Sequence, residues 1–443
     1  MKKALVIIIN LLYVLTYSIG QSNSSNLDSL QIKLDHNIPL WINEYKVPGV
    51  SVAVIEEGRI KWTKAYGGLE KGHPAPNNAL FNTASIGKSV TATMVLKLVD
   101  AKQWSLDEPL AKYWVDPEIK DNPWHKKVTT RHVLGHRTGF KNWRHYSADK
   151  KLSFDFEPGT AHQYSGEGME YLQKALENKF NKSFDQLIDS LIFKPLQMNN
   201  SQYWTDTLDL SRFAYSHDVK GDKYQGLTYN YKVTAAGNII TTAEDLAKFG
   251  AHVINGAGIS SSLYNDMITH QGNEKTDSGF GLGWNVIKNL PNGEYALKHG
   301  GDDVGVHSVI VLLPKSKRGI VVFTNGDNGM LIVDKVTKEL VNLSPPLNNP
   351  VAITLENSKL DLYTGKFLQN DGRMLLLERV GNTLKMSGEG IPLIELTPET
   401  ETRFFVKDYP INLEFIKNPT DNSMKMMIYE KGKLVMEAGR VKS

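Results

Sequence analysis

Two residues in this chain have the types and spacing for nucleophilic chemistry, Ser85 and Lys88. A serine hydroxyl attacks a carbonyl carbon only when something takes its proton, and an amine held partly out of water can do so. Residues three apart on a helix share a face, so both side chains would project from the first turn of one helix. The helix N-terminus would add free backbone N–H groups and a partial positive charge. The run behind them, Val90 to Val99, is apolar on nearly every side and reads as a buried helix. Ser-x-x-Lys is a common pattern, and it recurs at Ser147 and Lys150. That second copy lies in the polar, basic stretch Lys141 to Lys151, with no apolar helix behind it. Ser85 is therefore the candidate nucleophile.

The elements around it follow from periodicity. Leu27 to Lys46 carries apolar residues at helical spacing, with Pro39 as a possible kink. Gly49 to Ile55 and Ile60 to Tyr66 read as a hairpin turning at Glu56-Glu57-Gly58. Val128 to His136 predicts a short helix, and Glu167 to Phe180 an amphipathic one with Met169, Leu172, Leu176 and Phe180 on one face. Further helices are expected at Phe184 to Leu196, Thr242 to Val253 and Leu331 to Leu343. Tyr203 to Tyr231 is irregular and rich in Tyr, Asp and Lys, a composition that suits loops around a site. Ala296 to His299, Ser308 to Leu313 and Gly319 to Thr324 predict strands. Residues 344–350 hold three prolines and two asparagines, a linker composition. Beyond them, seven short alternating segments from Arg373 to Met436 predict a small antiparallel barrel or sandwich.

Length and composition set the outer limits. The 443 residues, 41% hydrophobic and 22% charged, suffice for two domains with real cores. The net charge is +3, without a basic block or basic-aromatic alternation, which argues against a nucleic-acid partner. Lys2 and Lys3 precede an apolar run, Ala4 to Leu15, with small residues at Ser18 and Gly20. The run is shorter than the roughly 20 residues that span a bilayer, so residues 1–20 read as a signal peptide. The expectation is an exported protein, periplasmic or secreted, without an integral membrane segment once the signal is cleaved. The absence of cysteine excludes disulfides, thiolate metal sites and a cysteine nucleophile.

Several stretches together resemble the serine β-lactamase and penicillin-binding superfamily, on the side of class C β-lactamases, D-alanyl-D-alanine carboxypeptidases, D-aminopeptidases and related esterases. They are Ser85-Ile86-Gly87-Lys88, Leu106-Asp107-Glu108-Pro109, and Val128 to Gly139 with His132-Val133-Leu134-Gly135-His136 inside it. Next come Pro158-Gly159-Thr160 before Tyr164-Ser165, Ala235-Ala236-Gly237, Gly281-Leu282-Gly283-Trp284 and His299-Gly300-Gly301. The resemblance covers roughly residues 30–343. It implies an α+β fold: an antiparallel sheet flanked by helices with a helical subdomain, here spanning 27–343, followed by a small β-barrel over 351–443. It also implies roles. Ser85 would be acylated, Lys88 would share or accept its proton, and Tyr164 would be general base and proton shuttle. His299 would face the substrate from an edge strand, with Gly300 and Gly301 letting the substrate approach closely. The backbone N–H groups of Ser85 and Asp302 would form the oxyanion hole. The family pattern places asparagine two residues after the tyrosine, where it hydrogen-bonds the substrate amide. Gly166 stands there in this chain. That weakens a β-lactamase reading and favours an esterase or a specialised peptidase. Asp302 and Asp303 make the pocket mouth acidic, which points to a neutral or cationic substrate group.

Other chemistries fit less well. His132 and His136, four apart, would share one helix face and could bind a metal, but the residue after His132 is valine and the zinc-protease pattern is absent. His299, Asp302, Asp303 and His307 form a second conceivable ligand set. The glycines of Phe280 to Trp284 lack the third glycine and following helix of a dinucleotide site, and no Gly-x-Ser-x-Gly occurs. The sequence therefore predicts no metal and no cofactor, with a small molecule or a peptide as substrate. It leaves the oligomeric state open. The rival from another class is a non-catalytic peptide- or glycan-binding protein on the same fold, which would have no need to keep Ser85, Lys88 and Tyr164 together.

Overall fold

The computed structural model describes residues 30–227, 232–272, 277–341, 350–369, 373–388, 391–407, 411–417, 423–430 and 432–441. The expected signal peptide and most of the expected linker lie outside these residues. Helix α1 occupies 30–45, running through Pro39. Then come β1 Gly49–Glu56, β2 Arg59–Glu70, β3 His73–Pro74, β4 Phe81–Asn82, α2 Gly87–Asp100, α3 Thr130–Leu134, α4 Gly166–Phe180 and α5 Phe184–Ile188. They are followed by β5 Ile240–Thr241, α6 Ala243–Ile254, α7 Ser261–Met267, β6 Ser278–Phe280, β7 Asn285–Leu290, β8 Glu294–Asp303, β9 Val306–Leu313, β10 Arg318–Thr324 and α8 Gly329–Val341.

The main sheet has the order β3-β2-β1-β10-β9-β8-β7-β6, and the pairings within it are antiparallel. Side chains alternate across a strand, so each central strand feeds two cores. Ala53, Ile55, Ile310, Leu312, Val321 and Phe323 face the large core that contains α2 and α6. Their neighbours Val52, Val54, Val309, Val311, Ile320 and Val322 face α1 and α8 through Leu34, Ile38, Ile332 and Val336. Strands buried on both faces need continuous apolar sequence, and β9, VHSVIVLL, is buried along its whole length.

The helical part holds α3, α4 and α5. Strand β7 stops pairing with β8 at the Asn285 to Lys298 rung, so residues 299–303 of β8 have no β7 partner. That opening is where substrate could reach the strand.

The C-terminal part closes into an eight-stranded antiparallel barrel between Gly365 and Arg440, with an apolar interior that includes Phe367, Leu377, Phe404, Leu413 and Met426. Sequence periodicity yields seven of these strands and misses Gly365–Gln369. There Leu368 points outward, 44% exposed, beside inward Phe367, and the apolar pair hides the alternation. The barrel meets the first domain where the Leu393 N–H donates to Asn328 Oδ1 at 2.6 Å. Asn328 in turn donates to the carbonyls of Tyr45 and Val219 at 2.7 and 2.9 Å. Among the described residues no helix is long and apolar enough to cross a membrane.

Candidate active site

Ser85 is not in the first turn of α2 but two residues before its start at Gly87. It occupies a short 3-10 turn, Ala84–Ile86, that leads into α2. Ala84 has φ +44°, a left-handed conformation that costs a non-glycine residue about 1–3 kcal/mol. Its N–H donates to Asn82 Oδ1 at 2.9 Å, which helps hold the turn. The turn is pressed against β8 and β9, and the Ser308 hydroxyl donates to the Thr83 carbonyl at 3.0 Å.

Lys88 is 1% exposed. Its amine lies 3.0 Å from Ser85 Oγ and donates to the Ala236 carbonyl at 2.7 Å. Burial disfavours the charged form and brings the amine down to about 7, with Glu170 opposing the shift. The carbonyl is delivered by a tethered segment. Ala235 N–H donates to Gln173 Oε1 of α4 at 2.8 Å, and the Thr91 hydroxyl of α2 donates to the Ala235 carbonyl at 2.9 Å. A Cβ on Gly87 would lie 2.7 Å from Gly237 Cα, and one on Gly237 would lie 2.5 Å from the Ala84 carbonyl. Only two glycines let this segment cross the nucleophile turn closely enough for Ala236 to reach Lys88. The Ala236 carbonyl is a functional group that sequence reasoning missed; the nearest signal was the Ala235-Ala236-Gly237 match.

Tyr164 closes the cluster. The Lys88 amine is 4.9 Å from its ring centroid. Burial pushes the phenol up to about 12, the Ser85 hydroxyl pulls it down and the Asp302 charge adds to the rise. His136 supports the tyrosine, with its ring centroid 4.3 Å away. Its Nδ1 accepts the Ser165 N–H at 3.2 Å, and its carbonyl accepts the Gln163 N–H at 2.8 Å. Burial holds this imidazole neutral, its pKa well below the usual histidine value.

The shared helix face expected for His132 and His136 does not exist. Helix α3 stops at Leu134, and His136 has φ +52°. His132 instead meets the Lys127 carbonyl through Nδ1 at 3.1 Å. Among the described residues no group of three or more His, Cys, Asp or Glu converges as a metal site would.

His299 lies on the α2 side of β8, two residues beyond inward Leu297, and is 5% exposed. Nδ1 is 2.7 Å from the Gly300 carbonyl, and Nε2 is buried without a hydrogen-bond partner. Burial first, then the Lys88 charge, lower this group to about 4, so it is neutral. Its Nε2 is thus left as an acceptor close to Tyr164, whose ring centroid is 6.4 Å away.

The two following glycines divide their work. Gly300 is open, its nearest neighbour to an added Cβ being the Ser308 carbonyl at 3.8 Å. Gly301 is not reserved for substrate as the sequence suggests. A Cβ there would lie 2.1 Å from the Thr83 carbonyl, so this glycine makes room for the nucleophile turn itself.

The two aspartates at the mouth differ in their surroundings. Asp302 Oδ1 lies 2.7 Å from His307 Nδ1, and His307 Nε2 lies 2.9 Å from the Asp327 carbonyl. Burial raises the Asp303 carboxyl above its ordinary value, with the Val304 N–H opposing the shift.

Comparison with known proteins agrees with this architecture. The Beta-lactamase family model matches residues 30–339. Penicillin-binding protein 4* of Bacillus subtilis (strain 168) is 23% identical over 429 residues, covering 86% of this chain and 93% of that protein. The octameric penicillin-binding protein homologue from Pyrococcus abyssi superposes with a TM-score of 0.62 at 22% identity, covering 92% of this chain and 99% of that one. The D-alanine carboxypeptidase AmpC from Burkholderia cenocepacia gives 0.60 at 18% identity, over 71% and 99%. These structural likenesses establish the fold.

Proposed function

The chain belongs to the beta-lactamase family, and from that premise we propose that it is an exported serine hydrolase cleaving a small ester or amide through an acyl-enzyme on Ser85. The observation that carries this reading is the buried Lys88 amine, 3.0 Å from Ser85 Oγ and depressed to about 7. A base that titrates near working pH is the efficient kind. Export is supported by the signal-like residues 1–20.

The two shifted groups divide the proton transfers. Near neutral pH a substantial share of Lys88 is the free amine, while Tyr164, at about 12, holds its proton. We therefore assign the base to Lys88, although the family pattern suggests Tyr164. With one N–H on the Ala236 carbonyl, the neutral amine can turn its lone pair to the Ser85 hydroxyl. As Oγ bonds to the substrate carbonyl carbon, Lys88 takes the hydroxyl proton. The Ser85 and Asp302 backbone N–H groups would receive the oxyanion. As the leaving group departs, Tyr164 donates its proton to it, and Lys88 returns a proton to the phenolate. Water then attacks the acyl carbon and its proton passes to the Lys88 amine. As the bond from the acyl carbon to Oγ breaks, Lys88 returns that proton to Oγ, which releases the acid and restores the Ser85 hydroxyl and the neutral amine.

The test is intact-mass spectrometry after exposure to a fluorophosphonate. One adduct mapped to Ser85, absent from Ser85→Ala, is the expected result. Hydrolysis at the wild-type rate by Ser85→Ala would overturn the assignment. If neither a fluorophosphonate nor a penicillin labelled Ser85, a non-catalytic binding protein would become the better reading.

A further inference from the structure

Position 166, two residues beyond Tyr164, has no room for a side chain. A Cβ on Gly166 would lie 2.5 Å from Cη2 of Trp143 and 2.8 Å from two more atoms of the same ring. The indole fills the volume in which a side chain at 166 would begin.

The ring is held there from both sides. Asn142 Oδ1 accepts the Gly166 N–H at 2.9 Å, and the Asn142 carbonyl accepts the Glu167 N–H at 2.9 Å. On the other side, the Arg144 N–H donates to Glu167 Oε1 at 2.9 Å and its guanidinium donates to Glu167 Oε2 at 2.9 and 3.0 Å. The same guanidinium also reaches Asp116 and Glu118 at 3.1 and 2.9 Å. Residues 142 and 144 are thus bound to the first turn of α4, and Trp143 between them is half-buried.

The rings continue outward. His145 lies parallel to Trp143 within 7°, with centroids 6.4 Å apart, and Tyr146 stands edge-on to His145 at 4.6 Å. His145 and Tyr146 are exposed. Ser165 is extended, so the Gly166 end of this row begins about 7 Å of backbone from Tyr164.

We infer that Trp143 sets the acyl-group preference of this enzyme, selecting acyl groups that present an aromatic face. The inference rests on the Ser85 acyl-enzyme reading. A carboxamide side chain offers an acceptor and two donors, whereas an indole offers one donor and a wide apolar face. The site at this end therefore cannot accept a substrate N–H through residue 166, and it rewards stacking or edge contact with an aryl group.

The test uses two esters with one leaving group, 4-nitrophenyl phenylacetate and 4-nitrophenyl acetate. For the wild type, kcat/KM is expected to favour the arylacetyl ester by at least about tenfold, the scale of one well-filled apolar subsite. Trp143→Ala lowers that ratio about tenfold, and Trp143→Phe keeps most of it. The ratio is taken on one preparation, so a loss of correctly folded enzyme cancels. A ratio in Trp143→Ala within twofold of wild type would overturn the inference, as would a wild type that does not prefer the arylacetyl ester. Ser85→Ala run alongside separates the two claims. Loss of both hydrolyses there, with the ratio unmoved in Trp143→Ala, sinks the Trp143 assignment and leaves the acyl-enzyme standing. Hydrolysis that persists in Ser85→Ala sinks the acyl-enzyme reading instead.

Discussion

The C-terminal barrel and the sheet beside Ser85 are built by the same alternation of side chains, yet they bury different chemistry. The barrel interior is apolar apart from Gln369, and among its described residues no Asp, Glu, Lys, Arg or His is buried. The first domain buries Lys88, Asp245, Asp327, His136, His299 and His307. Asp245 shows what a structural buried charge looks like: Lys248 lies 2.7 Å away and the Asn200 N–H donates at 2.6 Å. Lys88 is instead met by a hydroxyl and a carbonyl oxygen, neither able to balance a positive charge. Burial with no carboxylate in contact, and only the more distant Glu170 opposing it, shifts the Lys88 pKa down, and such shifts gather where protons must move.

Removing the shifted amine should have the largest effect. Lys88→Met keeps the volume but deletes the base, and it is expected to slow fluorophosphonate labelling of Ser85 by roughly 10²- to 10⁴-fold, the range for a positioned general base. A variant that keeps circular dichroism like the wild type and labels at the wild-type rate would show that the buried lysine is structural, like Asp245.

The barrel should answer in stability and not in chemistry. Phe404 is fully buried against Tyr363 and Phe415, with ring centroids 5.3 and 5.5 Å away. Phe404→Ala should lower barrel stability by about 3–5 kcal/mol, read by denaturant unfolding, while the folded protein labels at Ser85 unchanged. A matching fall in labelling would mean that the barrel shapes the site and that the two regions are not separate in function.

Legibility divides along the same line. The C-terminal strands were readable because alternation marks them, apart from the strand where Leu368 faces outward, while the choice of a barrel over a sandwich came from the family resemblance. Ser85, Lys88 and Tyr164 were readable because their types and neighbouring motifs are local. What the sequence could not show are the contacts between distant segments. Gly87 against Gly237 and Gly301 against the Thr83 carbonyl depend on how separate stretches cross. The left-handed Ala84 had no glycine to announce it. Position 166 was noticed as a missing asparagine, but the reason for the glycine is an indole 23 residues earlier in the chain. The helical pairing of His132 with His136 failed because α3 ends between them.

In the proposed mechanism the neutral amine of Lys88 activates Ser85. The direct measurement is the labelling rate of wild-type Ser85 by a fluorophosphonate, followed by intact mass from pH 5 to 9. The amine is lowered to about 7, so the deprotonated share grows as pH rises through that value. The rate should climb with pH and level off above a midpoint near 7. His299, lowered to about 4, and His136, held well below the usual histidine value, cannot supply that midpoint. A rate that is flat across the range, or one still rising steeply at pH 9, would contradict Lys88 as the base.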